Sequence, residues 1–302
     1  MEYVLRTENL SKKYKNKLVV DNVCMNIEKG DVYGFVGENG SGKTTIIRLI
    51  CALARPNEGK IELFGVDSNT AEAVKQRKKI GAVVETPSIY LNMSAVENLR
   101  MQAQILGVKD DEKIRDVLSV VGLAYLEKDK KPAGNFSLGM RQRLGVAMAL
   151  LGDPEFLLLD EPMNGLDPNG IVEIRELILK LNKEKGITFL ISSHILSELS
   201  LVANKYGIIS KGKLLKEVTA EELSKECEQS VYIEAEDKDC LLKALDGYEI
   251  KCEGEGVRVY GEVDLNQLLL LAMKDNKLKT VNNLRAGIED YYLSLMGGNN
   301  NA

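Results

Sequence analysis

Val36-Gly37-Glu38-Asn39-Gly40-Ser41-Gly42-Lys43-Thr44-Thr45 decides how the rest of the chain is read. It has the spacing G-x-x-x-x-G-K-T. Glycines at these places let the backbone turn sharply, so that successive N–H groups converge on an anion. Lys43 adds a mobile ammonium for the outer phosphates, and Thr44 offers a hydroxyl to Mg²⁺. The apolar, β-rich run Val32–Val36 predicts a buried strand entering the loop. The run Thr45–Ile50 predicts a helix whose N-terminus faces the phosphates.

Length and composition set the frame. A chain of 302 residues has room for two domains. With 44% apolar and 28% charged residues it has the make-up of a globular protein. A net charge of −5 gives no electrostatic case for nucleic acid as the main partner. The five cysteines (Cys24, Cys51, Cys227, Cys240, Cys252) are scattered and odd in number, which argues against a disulfide framework or a zinc site and suits a reducing cytosol. No apolar run approaches the roughly 18 residues of a membrane span. The first residues carry no basic leader followed by an apolar stretch, so no secretory signal is expected. Work at a membrane would then require another subunit to hold the protein there.

Upstream of the loop, Tyr3 to Ile27 alternates apolar and polar residues, an antiparallel β edge. Tyr14 lies in it beside a turn, where it is either a half-buried sheet residue or a ring that stacks on a purine. Downstream, strands are expected at Lys60–Phe64 and Ile80–Glu85. Ser94-Ala95-Val96-Glu97 is a capping box, so a helix should start there and reach Leu106. Asp110 to Val121 has Ile114, Val117, Leu118 and Val121 on one helical face. A helical pattern with Leu144, Ala147, Met148 and Leu151 follows Asn135–Met140. Ser137 and Gly139 sit at its start, either an ordinary cap or a second anion-ready helix terminus. Residues about 86–150 thus form a helical insertion in an α/β core.

Phe156–Leu159 is uniformly apolar, the mark of a buried parallel strand. Asp160 and Glu161 follow at its C-terminal end, where open α/β sheets bind ligands. Alternation along the strand is expected to place them on opposite sides, so that one holds Mg²⁺ while the other faces an attacking water. Gly165-Leu166-Asp167-Pro168 turns into a helix expected over Ile171–Asn182. Thr188–Ser192 is another buried strand, and His194, the single histidine, stands just past its end, either a surface or satisfied core residue or, given that place, a contact for a γ-phosphate. A strand over Tyr206–Ser210 and a connector helix over Thr219–Lys225 complete this part. The tail alternates strands (Ser230–Ala235, Tyr248–Glu253, Gly256–Tyr260) with helices (Asp239–Leu245, Leu265–Asp275) and ends in a helix near Ile288–Met296. It reads as a small α+β domain without a catalytic constellation. The expected division is 1–220 and 221–302.

Taken together and in this order, Tyr14, the loop, NFSLGMRQR, FLLLDEP, NGLD and Ser193-His194 resemble the ATP-binding-cassette (ABC) ATPases across residues 2 to about 215. The resemblance implies a P-loop NTPase cassette: a mixed sheet core, an antiparallel β subdomain and the helical insertion. It also implies roles. Gly37, Glu38, Asn39, Gly40, Ser41, Gly42, Lys43, Thr44 and Thr45 would bind ATP, and Tyr14 would stack on adenine. Thr44 and Asp160 would hold Mg²⁺, Glu161 would polarise the attacking water, and His194 would contact the γ-phosphate. Ser137 and Gly139 would reach the γ-phosphate held by a second copy in a head-to-tail dimer, with Asp167 at the same interface. Two departures stand out. The signature usually written LSGGQ is Phe136-Ser137-Leu138-Gly139-Met140, which keeps the hydroxyl and the N–H donors but loses the glutamine. Glu85 stands where the family carries glutamine; it would be a third catalytic residue and, with Thr44 and Asp160, a ligand of Mg²⁺, bringing an acceptor and a charge to the metal. With the C-terminal domain, these features look like the exporter ATPases of the bacitracin-resistance and lantibiotic-immunity type. That implies ATP hydrolysis driving a separate membrane permease, with the protein on the inner face of the membrane. The alternative is an ABC ATPase acting on nucleic acid or ribosomes, which usually has two cassettes in a chain or a long coiled coil; neither is present here.

Overall fold

The computed structural model describes residues 2–226, 230–261, 263–274, 276–284, 291 and 295. It divides the chain into two units, Met1–Thr219 and Ala220–Ala302.

The first unit opens with β1 (Tyr3–Tyr14), β2 (Lys17–Val23), β3 (Asn26–Glu28) and β4 (Val32–Val36). After the phosphate loop come α1 (Lys43–Ile50), β5 (Glu58–Leu63), β6 (Val66–Asp67), α2 (Ala73–Arg77) and β7 (Ile80–Val83). The insertion holds α3 (Ala95–Leu106), α4 (Asp111–Val120) and α5 (Leu138–Leu150). The unit closes with β8 (Phe156–Asp160), α6 (Pro168–Lys185), β9 (Thr188–Ser193), α7 (Leu196–Leu199), β10 (Lys205–Ser210) and β11 (Lys213–Thr219).

Two sheets result. β1, β2, β3, β5 and β6 pair antiparallel. The second sheet has the order β11-β10-β4-β9-β8-β7 and is parallel except for the β10–β11 hairpin. Its central strands β4, β8 and β9 are buried at every position, as strands covered on both faces must be. One core unites the sheets. Leu5, Met25 and Ile27 from the first meet Phe35, Leu158 and Leu190 from the second, with Ile46, Ile47 and Ile50 of α1 in the same cluster. Tyr33 lies within it, its hydroxyl donating to Glu217 Oε1 at 2.8 Å, and burial pushes its pKa well above the ordinary value near 10.

Local chemistry explains the helix ends. The capping box at α3 is complete: Ser94 Oγ accepts from Glu97 N–H, and the Glu97 carboxylate accepts from Ser94 N–H at 2.7 Å. α6 is longer than the expected Ile171–Asn182 at both ends. Asp167 caps it with Pro168 in its first turn, and Gly186, at φ 65°, ends it. β11 was not foreseen from the sequence, and it returns antiparallel along β10.

The second unit begins with α8 (Ala220–Glu226). Then follow β12 (Ser230–Ala235), α9 (Lys238–Ala244), β13 (Glu249–Glu253), β14 (Gly256–Tyr260), α10 (Leu265–Met273) and β15 (Leu278–Leu284). The sheet order is β13-β14-β12-β15, with every pair antiparallel. A βαββαβ chain in this order is the ferredoxin-like arrangement. Val231, Ile233, Val257 and Val259 turn one face of the sheet toward Leu241, Leu245, Leu268 and Ala272. β15, like β11 and the two-residue β6, was not expected from sequence. The helix expected near Ile288–Met296 lies outside the described residues, except for Tyr291 and Leu295.

Candidate functional site

The site is built where three parallel strands end side by side. Register places Val36 of β4 opposite Ser193 of β9, and Asp160 of β8 opposite Ser192 of β9. The phosphate loop, the acid pair and His194 therefore start from the same edge of one sheet.

Backbone geometry shapes the loop. Gly37 N–H donates to Ser193 O at 3.3 Å, and a β-carbon at Gly37 would collide with the Ile209 carbonyl and with Ser41 Oγ. Gly42 has φ 112°, a conformation that side chains rarely take, and it caps α1. The carbonyl of Gly42 accepts the first helical bond from Ile46 N–H, at 3.0 Å. α1 thus begins at the loop, with the free N–H groups of its first turn beside Lys43 and Thr44.

Lys43 is almost fully buried, with 5% of its surface exposed. Its ammonium donates to Gly37 O at 2.6 Å and Glu38 O at 3.2 Å, and pairs with Glu161 Oε1 at 3.3 Å. The other Glu161 oxygen, Oε2, lies 2.9 Å from His194 Nδ1. An ionised carboxylate only accepts, so this contact puts the hydrogen on Nδ1. Lys43, Glu161 and His194 are thus one linked cluster. Glu198 adjoins it; burial raises its carboxyl pKa, while His194 lowers and Glu161 raises it.

Asp160 and Glu161 differ for a reason other than strand alternation. β8 ends at Asp160, and Glu161 turns out of the strand with φ 50°. The expectation that the two acids diverge by period-two alternation is therefore corrected: a left-handed turn separates them. Asp160 is 1% exposed, and its Oδ1 accepts from the Ser192 hydroxyl at 2.6 Å. The same hydroxyl accepts from Glu161 N–H at 2.8 Å. Sequence reading passed over Ser192, which looked like one more residue of an apolar strand. The only hint was a hydroxyl within that run, two residues before the histidine.

The remaining residues lie elsewhere. Glu85, at φ 60°, is exposed and pairs with Arg48 of α1 at 2.7 Å; none of its described bonds reaches the Lys43 cluster. Tyr14 is exposed at the β1–β2 hairpin with the Lys12 ammonium 5.1 Å from its ring centre. Ser137 caps α5, its hydroxyl accepting from Met140 N–H at 3.2 Å. Asp167 caps α6, accepting from Gly170 N–H at 3.2 Å. These two caps are neighbours, because β-carbons built at Gly139 and Gly165 would contact Leu166 and Leu138.

Six buried side-chain polar atoms among the described residues have no partner, and two of them belong to this site: Ser41 Oγ in the loop and Asp160 Oδ2. A buried oxygen without a donor is costly unless a ligand supplies one. With the Lys43 ammonium and a helix N-terminus beside them, these atoms fit a polyphosphate and a hydrated divalent cation. No group of three or more His, Cys, Asp or Glu side chains suited to a metal occurs among the described residues.

The ABC transporter family model matches residues 20–164. Over 308 residues the chain is 40% identical to the bacitracin transport ATP-binding protein BcrA of Bacillus licheniformis, covering 99% of each chain. The chain belongs to the ABC transporter ATP-binding proteins. Another member of this family, the lantibiotic transport ATP-binding protein SrtF of Streptococcus pyogenes, is 42% identical over 214 residues, 71% of this chain and 90% of its own. Among solved ABC structures, CbiO1 of Clostridium perfringens superposes with a TM-score of 0.66 at 27% identity, over 74% of this chain and 91% of CbiO1. This ABC protein binds nucleotide and is an ATPase, the ATP-binding subunit of a transporter. The transport reading therefore stands over the nucleic-acid alternative. No described helix is long and apolar enough to cross a membrane.

Proposed function

We propose that this ABC ATPase powers export of a peptide antibiotic of the bacitracin or lantibiotic kind through a separate membrane permease, which holds it on the inner face of the membrane. The observation that carries the mechanism is the Lys43–Glu161–His194 cluster at the sheet edge. Cargo class rests on similarity to bacitracin and lantibiotic transport proteins, which for BcrA spans both units.

In this reading the loop from Gly37 to Thr45 cradles the triphosphate, and Lys43 leaves Glu161 to hold the outer phosphates. Tyr14 offers its exposed face to adenine. Thr44 and Asp160 hold Mg²⁺, which when bound neutralises developing charge on the phosphates. Glu161 then accepts a proton from water as that water attacks, and His194 contacts the γ-phosphate. Glu85 takes part through the segment that leads into the insertion. Ser137 and Asp167, exposed at two helix N-termini, and the half-buried Gly139 complete the site of a second copy placed head to tail. ATP then joins the two copies because it binds the closed dimer better than the open one. The C-terminal unit is an accessory domain.

Glu161→Gln tests the core of this. With ATP and Mg²⁺ the variant should elute as a dimer and turn over at least about 100-fold more slowly, the scale of general-base catalysis. A monomer, or undiminished turnover, would overturn the reading. For cargo, the complex co-purified with its permease should hydrolyse ATP faster with bacitracin or a lantibiotic. Indifference to both would remove the cargo assignment.

A further inference from the structure

We propose that Ser192 is the positioning residue of the acid pair, its one hydroxyl setting both the metal-facing oxygen of Asp160 and the backbone of Glu161. The inference rests on the reading above that Asp160 holds Mg²⁺.

Ser192 is fully buried in β9, opposite Asp160 in the parallel register. A serine hydroxyl has one proton to give and lone pairs to receive. Here the proton goes to Asp160 Oδ1 at 2.6 Å, a distance typical of a hydroxyl on a carboxylate. A lone pair takes the N–H of Glu161 at 2.8 Å. Two consequences follow. The carboxyl plane of Asp160 cannot rotate freely, and Oδ2 is its one buried oxygen without a partner. The amide of Glu161, which leaves the strand at φ 50°, is satisfied in a conformation that a non-glycine residue seldom adopts. The turn sends the Glu161 side chain to Lys43 and His194, while Asp160 stays in the strand.

The same strand end also ties the loop. Ser193 O accepts from Gly37 N–H, and Ser193 Oγ accepts from Ile195 N–H at 3.0 Å. β9 is thus the piece to which loop, acids and histidine are all fastened. Within it, Ser192 touches neither phosphate nor water in this scheme. It acts through Asp160 and Glu161, as outer hydrogen-bond partners of metal ligands do.

The test uses the full-length protein and a fluorescent ATP analogue, first in excess EDTA and then titrated with Mg²⁺. Four forms are compared: wild type, Ser192→Ala, Ser192→Thr and Asp160→Asn. All four should still bind the analogue in EDTA, at least as tightly as wild type, which shows that the loop is folded. The Mg²⁺ concentration at half-effect should rise about 10- to 100-fold for Ser192→Ala and for Asp160→Asn. Ser192→Thr, which keeps the hydroxyl, should restore the wild-type titration. A Ser192→Ala titration that matches wild type while Asp160→Asn is shifted would overturn the role of Ser192 alone. Loss of EDTA binding in Ser192→Ala, or failure of threonine to rescue, would overturn it as well. An unshifted Asp160→Asn would instead remove the metal role of Asp160, and this inference with it.

Discussion

Replacing Glu161 with glutamine should make the empty site bind nucleotide more tightly, even where no hydrolysis can occur. The reason is competition. In the structure the Lys43 ammonium lies 3.3 Å from Glu161 Oε1, with 20% of the glutamate side chain exposed. The bare Coulomb attraction at that distance is about 5 kcal/mol with an effective dielectric of 20. Much of it is offset by desolvation, and hydrogen bonds to charged groups contribute a net of about 1.5–3 kcal/mol. A β-phosphate that takes Lys43 away from Glu161 forfeits that amount. Glutamine keeps the size and removes the charge, so the forfeit falls and affinity should rise about 10- to 100-fold. ADP in EDTA is the appropriate ligand, because neither turnover nor a γ-phosphate then contributes. Calorimetric titration of wild type and Glu161→Gln at the same ionic strength reads the difference directly. Equal affinities would refute the reasoning: Lys43 would then not be held by Glu161 in the nucleotide-free protein.

Gly145 lies in α5 with a position for a β-carbon 2.6 Å from Pro87 Cβ, so Gly145→Ala must push the segment between Glu85 and α3. Helix propensity returns about 1 kcal/mol and overpacking costs about 1–3 kcal/mol, a net loss of up to about 2 kcal/mol, so the melting temperature should drop by up to about 8 °C; a rise would show that the Pro87 segment yields freely. At high pH, Tyr33 should cost stability, because the unfolded chain ionises near pH 10 while the buried hydroxyl resists. Tyr33 should contribute a slope of up to about 1.4 kcal/mol per pH unit above about pH 10, and Tyr33→Phe should lower the measured slope by that share in denaturant titrations from about pH 9 to 11, leaving the part due to buried Tyr206 and Cys51. An unchanged slope would assign the effect to other groups.

How far the sequence carried depended on whether a residue's neighbours were near in the chain. The phosphate loop was legible because glycine spacing is itself the structure, and the α3 capping box because Ser94 and Glu97 answer each other within one turn. β8 was legible because a strand covered on both faces shows as an unbroken apolar run. β11 and β15 escaped because they lie at sheet edges and carry mixed residues such as Lys216, Glu217, Asn282 and Asn283. The turn at Glu161 was invisible, since a left-handed glutamate looks like any other glutamate until the backbone is seen. Ser192 was hidden for a related reason. Its partners are 31 and 32 residues away, and no local pattern announces a bond across strands.

That three neighbouring strands carry the loop, the acids and the histidine has an evolutionary side. Parallel ladders move as a plate, so a substitution that tilts one strand disturbs every part of the chemistry together and is readily purged.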